Sequence, residues 1–231
     1  MPDPRSPHVA IVDYGMGNLY SVQRACDHVG LSSELATSPE RVLAADGVIL
    51  PGVGAMPQAM DVLDRTGLSD AIRAAAAGGT PTFAVCLGLQ LLMREGSEFS
   101  PHAGLGIIDG IVARLSGADD VGSPLRVPHI GWNRVEPPAG AAPRLWDDTP
   151  LAPLGVDAYM YFVHSYYVVP ADPGVVLATT RYGNTEFCSA VRQGAIFACQ
   201  FHPERSGPLG LSMYESFAAA VSAAASIPLS R

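Results

Sequence analysis

The sequence contains no lysine: all 14 of its basic residues are arginine. That absence excludes a Schiff-base lysine and the phosphate-loop lysine of a Walker-type nucleotide site. Positive charge is also scarce. Set against 22 acidic residues it leaves a formal net charge of −8 and no basic run, a poor match to the phosphate backbone of nucleic acid. Charged residues make up 16% of the chain and hydrophobic ones 48%, which supports a buried core and argues against disorder. A long apolar run is missing too. The start, MPDPRSPH, lacks the apolar stretch of a signal peptide, and no later segment is long enough to span a membrane, so a cytoplasmic location is expected. There the cysteines Cys26, Cys86, Cys188 and Cys199 are expected as reduced thiols. Their spacings fit no zinc pattern, and no metal or other cofactor is expected.

What is present has two textures. With 231 residues the chain suits one α/β domain or at most two small ones. The first half alternates short apolar runs with helical patterns. Strands are expected at His8 to Val12, Ser32 to Ala36, Gly47 to Leu50 and Thr82 to Val85. Between them, helical spacing covers Leu19 to Val29 (capped by Asn18), Met56 to Leu63, and Ser69 to Ala77, which Gly78-Gly79 ends; another helix is expected over Leu87 to Arg94. That alternation implies a parallel sheet wound on both faces. The second half is rich in β-branched and aromatic residues at Leu105 to Leu115, Val127 to Val135, Tyr159 to Val169, Val175 to Thr180 and Phe187 to Phe201, read as antiparallel hairpins on the same sheet. Pro137 to Pro143 reads as a surface loop, and Ser212 to Ala225 as a closing helix. The fold class is therefore α/β, an open, mixed, mainly parallel sheet flanked by helices.

Three strand ends carry chemistry. In Thr82-Phe-Ala-Val-Cys86-Leu-Gly88-Leu-Gln90, the cysteine sits where a strand passes into a helix, with small residues two before and two after. A nucleophile on a sharp bend needs small neighbours, and the following helix start favours a thiolate. The Leu87 amide N–H would point where an oxyanion forms. A buried structural cysteine fits the same pattern. In Gln200-Phe-His202-Pro-Glu204 a histidine follows another apolar strand. Ligands in open α/β sheets gather outside the carboxyl ends of strands, so His202 can meet Cys86 as base and acid, with Glu204 fixing its tautomer. Pro51-Gly52-Val53-Gly54 ends a third strand. It reads as a tight turn, a short phosphate loop, or the second donor of an oxyanion hole.

Taken together and in order, PGVG, CLGLQ and FHPE resemble the motifs of the class I (triad) glutamine amidotransferases. The resemblance implies a single domain over 1–231 with a core of about 8–225, a flavodoxin-like fold, and hydrolysis of glutamine through a γ-glutamyl thioester. It makes Cys86 the nucleophile, His202 the base and acid, and Glu204 the orienting group. Val53 and Leu87 would supply the oxyanion hole, and Gly52, Gln90, Ser165 and Tyr166 would bind glutamine. Two positions depart from the common pattern: Ala84, where many relatives carry glycine, and Arg205, where many carry lysine. Asp13-Tyr-Gly-Met-Gly-Asn18, Pro128-His-Ile-Gly-Trp132-Asn133 and Tyr161-Phe-Val-His-Ser165-Tyr-Tyr167 are similar to one branch of the family. Its members pass ammonia to a (β/α)8-barrel cyclase subunit of histidine biosynthesis. The partner would form a heterodimer with this chain, contacting Asn18, Trp132 and Arg205. The triad alone equally suits a stand-alone hydrolase of γ-glutamyl or related amides, and a reactive-cysteine sensor is a non-enzymatic alternative.

Overall fold

The computed structural model describes residues 7–155 and 157–226; the segment MPDPRS, part of the polar start, lies outside them. The chain begins with β1 (His8–Val12), α1 (Leu19–His28), β2 (Ser32–Ala36), α2 (Pro39–Leu43), β3 (Gly47–Leu50), α3 (Met56–Thr66), α4 (Leu68–Ala77), β4 (Thr82–Val85) and α5 (Leu87–Leu91). It continues through β5 (Met93–Gly96), β6 (His102–Ala103), β7 (Ile108–Arg114), β8 (His129–Arg134), β9 (Tyr159–His164), β10 (Tyr166–Pro170), β11 (Val176–Tyr182), β12 (Thr185–Gln193), β13 (Ile196–Cys199) and α6 (Gly207–Ala225). The main sheet runs β2-β1-β3-β4-β13-β12-β10-β7-β5-β6, with β11 beside β12. The strands from β2 to β13 are mutually parallel, and β12 turns the sheet antiparallel.

Both faces of the parallel part are covered, which is why its strands are apolar throughout and do not alternate. Ala10, Val12, Val48, Leu50 and Ala84 pack with α2, α3 and α4 on one side. Val9, Ile11, Ile49, Phe83 and Val85 pack with α1 and α6 on the other, where the Phe83 ring lies 5.2 Å from Tyr214 and 5.5 Å from Phe217. Asn18 caps α1 as expected, its side chain accepting from the Ser21 N–H at 3.3 Å. Among the described residues no helix is long and apolar enough to cross a membrane.

Three sequence readings are corrected. The helix after Cys86 is one turn long and stops at Leu91, not Arg94. Chain returning from the β6 hairpin takes its last carbonyls, Leu105 N–H bonding Leu91 O at 2.8 Å and Ile107 N–H bonding Leu92 O at 3.0 Å. The second-half hairpins do not all join the main sheet. Among the described residues, His129–Arg134 and Tyr159–His164 form a two-stranded sheet of their own, and the chain crosses to the main sheet at Ser165. The closing helix begins at Gly207, five residues before Ser212, because Pro208 is tolerated in a first helical turn.

Candidate active site

Cys86 occupies the bend between β4 and α5 with φ 55° and ψ −107°, a positive φ that a non-glycine residue adopts only under constraint. The constraint is visible on both sides. Its N–H donates to Cys199 O at 2.8 Å, tying it to the end of β13. Two residues on, a Cβ at Gly88 would stand 1.9 Å from Leu50 O, so only glycine lets the bend sit against β3. Ala84 is fully buried and faces Leu50 and Ala198 across its neighbours, so a methyl group is accommodated there.

His202 and Glu204 lie on the short 3-10 turn that follows β13, the strand beside β4. Their side chains are almost wholly buried, and Glu204 Oε1 is 2.8 Å from His202 Nδ1. The carboxylate can only accept, so Nδ1 carries the proton and Nε2 is the basic nitrogen. Burial alone would depress the imidazole pKa. The neighbouring Cys86 thiolate and then Glu204 outweigh it and hold His202 well above its ordinary value. Nε2 has no hydrogen-bond partner at rest among the described residues, so Cys86 acts on it mainly through charge. The turn is clamped to β9: His202 N–H bonds Tyr161 O at 2.9 Å, Tyr161 N–H bonds Ser206 Oγ at 3.0 Å, and that hydroxyl donates to His202 O at 2.6 Å.

A cavity of about 220 Å³ opens beside the sulfur. From the parallel half it takes Val53, Gly54, Cys86, Leu87, Gln90 and Glu98; from the second half Pro128, Val163, His164, Ser165 and Tyr166. The expected residues Val53, Leu87, Gln90, Ser165 and Tyr166 thus line one cavity. Gly52 does not line it. It is packed beneath, where a Cβ would stand 2.2 Å from the Tyr14 hydroxyl. Its carbonyl accepts a long bond from Leu87 N–H at 3.4 Å. In a trans peptide the carbonyl and the next N–H point oppositely, so the Val53 N–H is turned away from the site. Tyr14 braces this loop, its hydroxyl donating to Pro51 O at 2.7 Å. Asn18, Trp132 and Arg205 are all exposed, Trp132 by 55%. The Arg205 guanidinium lies over the Tyr161 ring at 4.3 Å, and Trp132 meets the same ring edge-on.

Several site residues were not anticipated. Glu98 reaches the cavity from the loop after β5, one oxygen accepting from Met56 N–H at 2.9 Å; its charge suits an ammonium group. Gln200 contacts the sulfur itself. His129 and His164 form a buried pair, His129 Nδ1 to His164 Nε2 at 3.1 Å. His164 Nδ1 must donate to Tyr166 O at 2.9 Å, so its Nε2 accepts from His129 Nδ1, and His129 Nε2 accepts from Asn133 Nδ2 at 3.3 Å. Both rings are neutral, burial pushing His129 down to about 4 and His164 to about 3. The remaining cysteines are buried free thiols, with burial pushing Cys26 and Cys188 up to about 12.

Comparison with known proteins agrees with this geometry. The chain matches the family "Glutamine amidotransferase class-I" over residues 10–221. It is 43% identical over 209 residues to the imidazole glycerol phosphate synthase subunit HisH of Geobacillus kaustophilus (strain HTA426), covering 90% of this chain and 95% of that one. It is 46% identical over 210 residues to the same-named subunit of Moorella thermoacetica (strain ATCC 39073 / JCM 9320), covering 90% and 93%. Among solved structures, a glutamine amidotransferase superposes with a TM-score of 0.68 at 21% identity, covering 93% of this chain and 98% of that one. The glutaminase domain of Trypanosoma brucei CTPS superposes at 0.65 with 18% identity, covering 94% of each; at these identities the likeness is one of fold. A strained cysteine bend, a buried histidine–carboxylate pair and a match over nearly the whole described chain converge: the chain belongs to the class-I glutamine amidotransferase family.

Proposed function

We propose that Cys86, His202 and Glu204 hydrolyse the side-chain amide of glutamine, and that the chain serves as the glutaminase subunit of an imidazole glycerol phosphate synthase. The observation that carries the reading is the buried His202–Glu204 pair beside the Cys86 bend. The thiolate attacks the carboxamide carbon. His202, holding the proton taken from the thiol, gives it to the departing nitrogen, and ammonia leaves a γ-glutamyl thioester on Cys86. Water, deprotonated by the now neutral His202, attacks the thioester and releases glutamate and the thiolate. Gln90, Ser165 and Tyr166 would hold the substrate, and Glu98 would meet its ammonium group. The oxyanion needs donors from Leu87 and Val53. At rest the Gly52 carbonyl occupies the Leu87 N–H, so the Gly52–Val53 peptide must rotate before the hole is complete.

A partner supplies the reason for that rotation. Ile130 and Trp132 share one face of the β8–β9 ribbon with Tyr159, Tyr161 and Val163, and Val163 also lines the cavity. Ile130, Trp132 and Tyr159 are exposed, so an apolar surface runs up to the mouth of the site. The partner fitting this reading is a (β/α)8-barrel cyclase subunit in a heterodimer, with Asn18, Trp132 and Arg205 at the contact. Ammonia would pass into the barrel to form imidazole glycerol phosphate and an aminoimidazole carboxamide ribotide. The test is glutamate release by the full chain alone, with a barrel cyclase, and with the cyclase and its ribonucleotide ligand. The proposal expects release to rise at least tenfold on adding the loaded cyclase. Full activity in the lone chain would favour a stand-alone hydrolase.

A further inference from the structure

A buried pair of amides stands against the nucleophile. Gln200 follows β13 with no exposed surface, its N–H donating to Ser189 O of β12 at 2.9 Å. One end of its side chain lies 3.1 Å from Gln90 Nε2 and the other 3.6 Å from Cys86 Sγ. The two ends of an amide look alike, so which one faces the sulfur has to be argued from what each partner can do. The Tyr166 carbonyl can only accept, and it is 2.9 Å from the Gln90 amide, so that end of Gln90 is NH2. The second proton of the same NH2 points at Gln200, which must answer with oxygen. The end of Gln200 against Cys86 is therefore NH2.

We propose that Gln200 is a positioning residue for Cys86, an obligate N–H donor to its sulfur whose polarity is set through Gln90 by the Tyr166 carbonyl. This rests on Cys86 being the nucleophile. A donor on that side favours the thiolate and cannot accept the thiol proton. The thiol proton is directed elsewhere: His202 can take it as a base, and before that the S–H can hydrogen-bond Val163 O, which lies 3.8 Å from the sulfur. Gln90 also walls the cavity, so the group expected to touch substrate is the one that fixes the donor on the nucleophile.

The test is the pH dependence of Cys86 alkylation by iodoacetamide in the full chain without glutamine, the site read by peptide mass. The other charged and titratable groups around the sulfur stay the same in every variant: His202 and Glu204 on the turn after β13, Cys199 on β13, Tyr14 after β1, and Glu98 after β5 and His164 on β9, which line the same cavity. Gln200→Met keeps the length and cannot donate, so alkylation at pH 7 is expected to slow about tenfold or more, the effect of losing a hydrogen bond to a charged group. Gln200→Glu keeps the shape and still accepts from Gln90, but burial raises a carboxyl's pKa, so it presents an acceptor and a negative charge to the sulfur only once ionised; its alkylation is expected to fall below wild type toward alkaline pH, and it carries the test if the methionine variant fails to fold. Wild-type profiles in folded variants would overturn the proposal and reduce Gln200 to packing. Because no glutamine enters the assay, failure of the glutaminase reading leaves this result legible. A variant that loses glutamate release yet alkylates like wild type would place the loss at Gln90 and likewise count against it.

Discussion

Acidification should unfold this protein through the His129–His164 pair. The chain from Tyr166 O through His164 and His129 to Asn133 uses every ring nitrogen once as donor or acceptor. An added proton would set two donors face to face at 3.1 Å in a site where both residues are at most 5% exposed. His129 stacks on Tyr182 at 4.2 Å and Phe162 at 5.1 Å, so the ring cannot turn to water. With folded pKa values held down near 4 and 3, the pair is neutral in the native state where the unfolded chain is protonated. Its contribution is complete above the ordinary histidine value of about 6.5 and is lost as pH falls toward the folded values. At pH 5 each ring has lost about 1.5 units at about 1.4 kcal/mol per unit, so the two together cost about 4 kcal/mol. That is a large part of the ~5–15 kcal/mol of a typical domain. Urea unfolding at pH 7.5 and pH 5.0 measures the loss in wild type and in a His129→Gln/His164→Asn double variant. The variant should lose about 4 kcal/mol less than wild type over that interval. Equal losses in the two proteins would refute the reasoning.

The remaining predictions concern the bend, the triad and the oxyanion loop. Gly88→Ala places a carbon 1.9 Å from Leu50 O, so β3 and α5 must separate; unfolding curves should show a loss of about 3 kcal/mol or more. Glu204→Gln removes the negative charge beside His202 and puts an NH2 that can donate where only an acceptor stood, so the tautomer is no longer fixed, and kcat for glutamate release should fall on the order of 10²–10⁴-fold with KM little changed. A comparable rise in KM would instead mean a disrupted binding wall. Tyr14→Phe removes the hydroxyl bracing Pro51 O, so release of glutamate by the chain alone should rise severalfold as the Gly52–Val53 peptide turns more freely. Unchanged or lower release would mean the hydroxyl does not hold the resting loop.

Much of this was legible in the sequence because it is local. Apolar runs such as GVIL and TFAV are buried on both faces, and Asn18 stands three residues before the N–H it caps. The bend at Cys86 showed itself through the small residues Ala84 and Gly88, and at Gly88 the reason is the closeness of Leu50 O. The unread parts depend on contacts distant in the chain. Gln200 looks like a polar residue before a histidine until β13 brings it to a sulfur 114 positions away. His129 and His164 pair only because β8 and β9 leave the main sheet together, and nothing in their alternation says which sheet they join. The brevity of α5 is set by the chain returning at Leu105, while the helical spacing of its own residues continues. The resting turn of the Gly52–Val53 peptide has no sequence signature, since glycine permits both orientations.

The central claim is that glutamine is opened at the Cys86 sulfur. Acid quenching of turnover, followed by mass analysis of the peptide bearing Cys86, tests it most directly when run beside glutamate release by Cys86→Ala. The account predicts a γ-glutamyl adduct on Cys86 in wild type and no glutamate from the variant. Glutamate release by Cys86→Ala at the wild-type rate would contradict it.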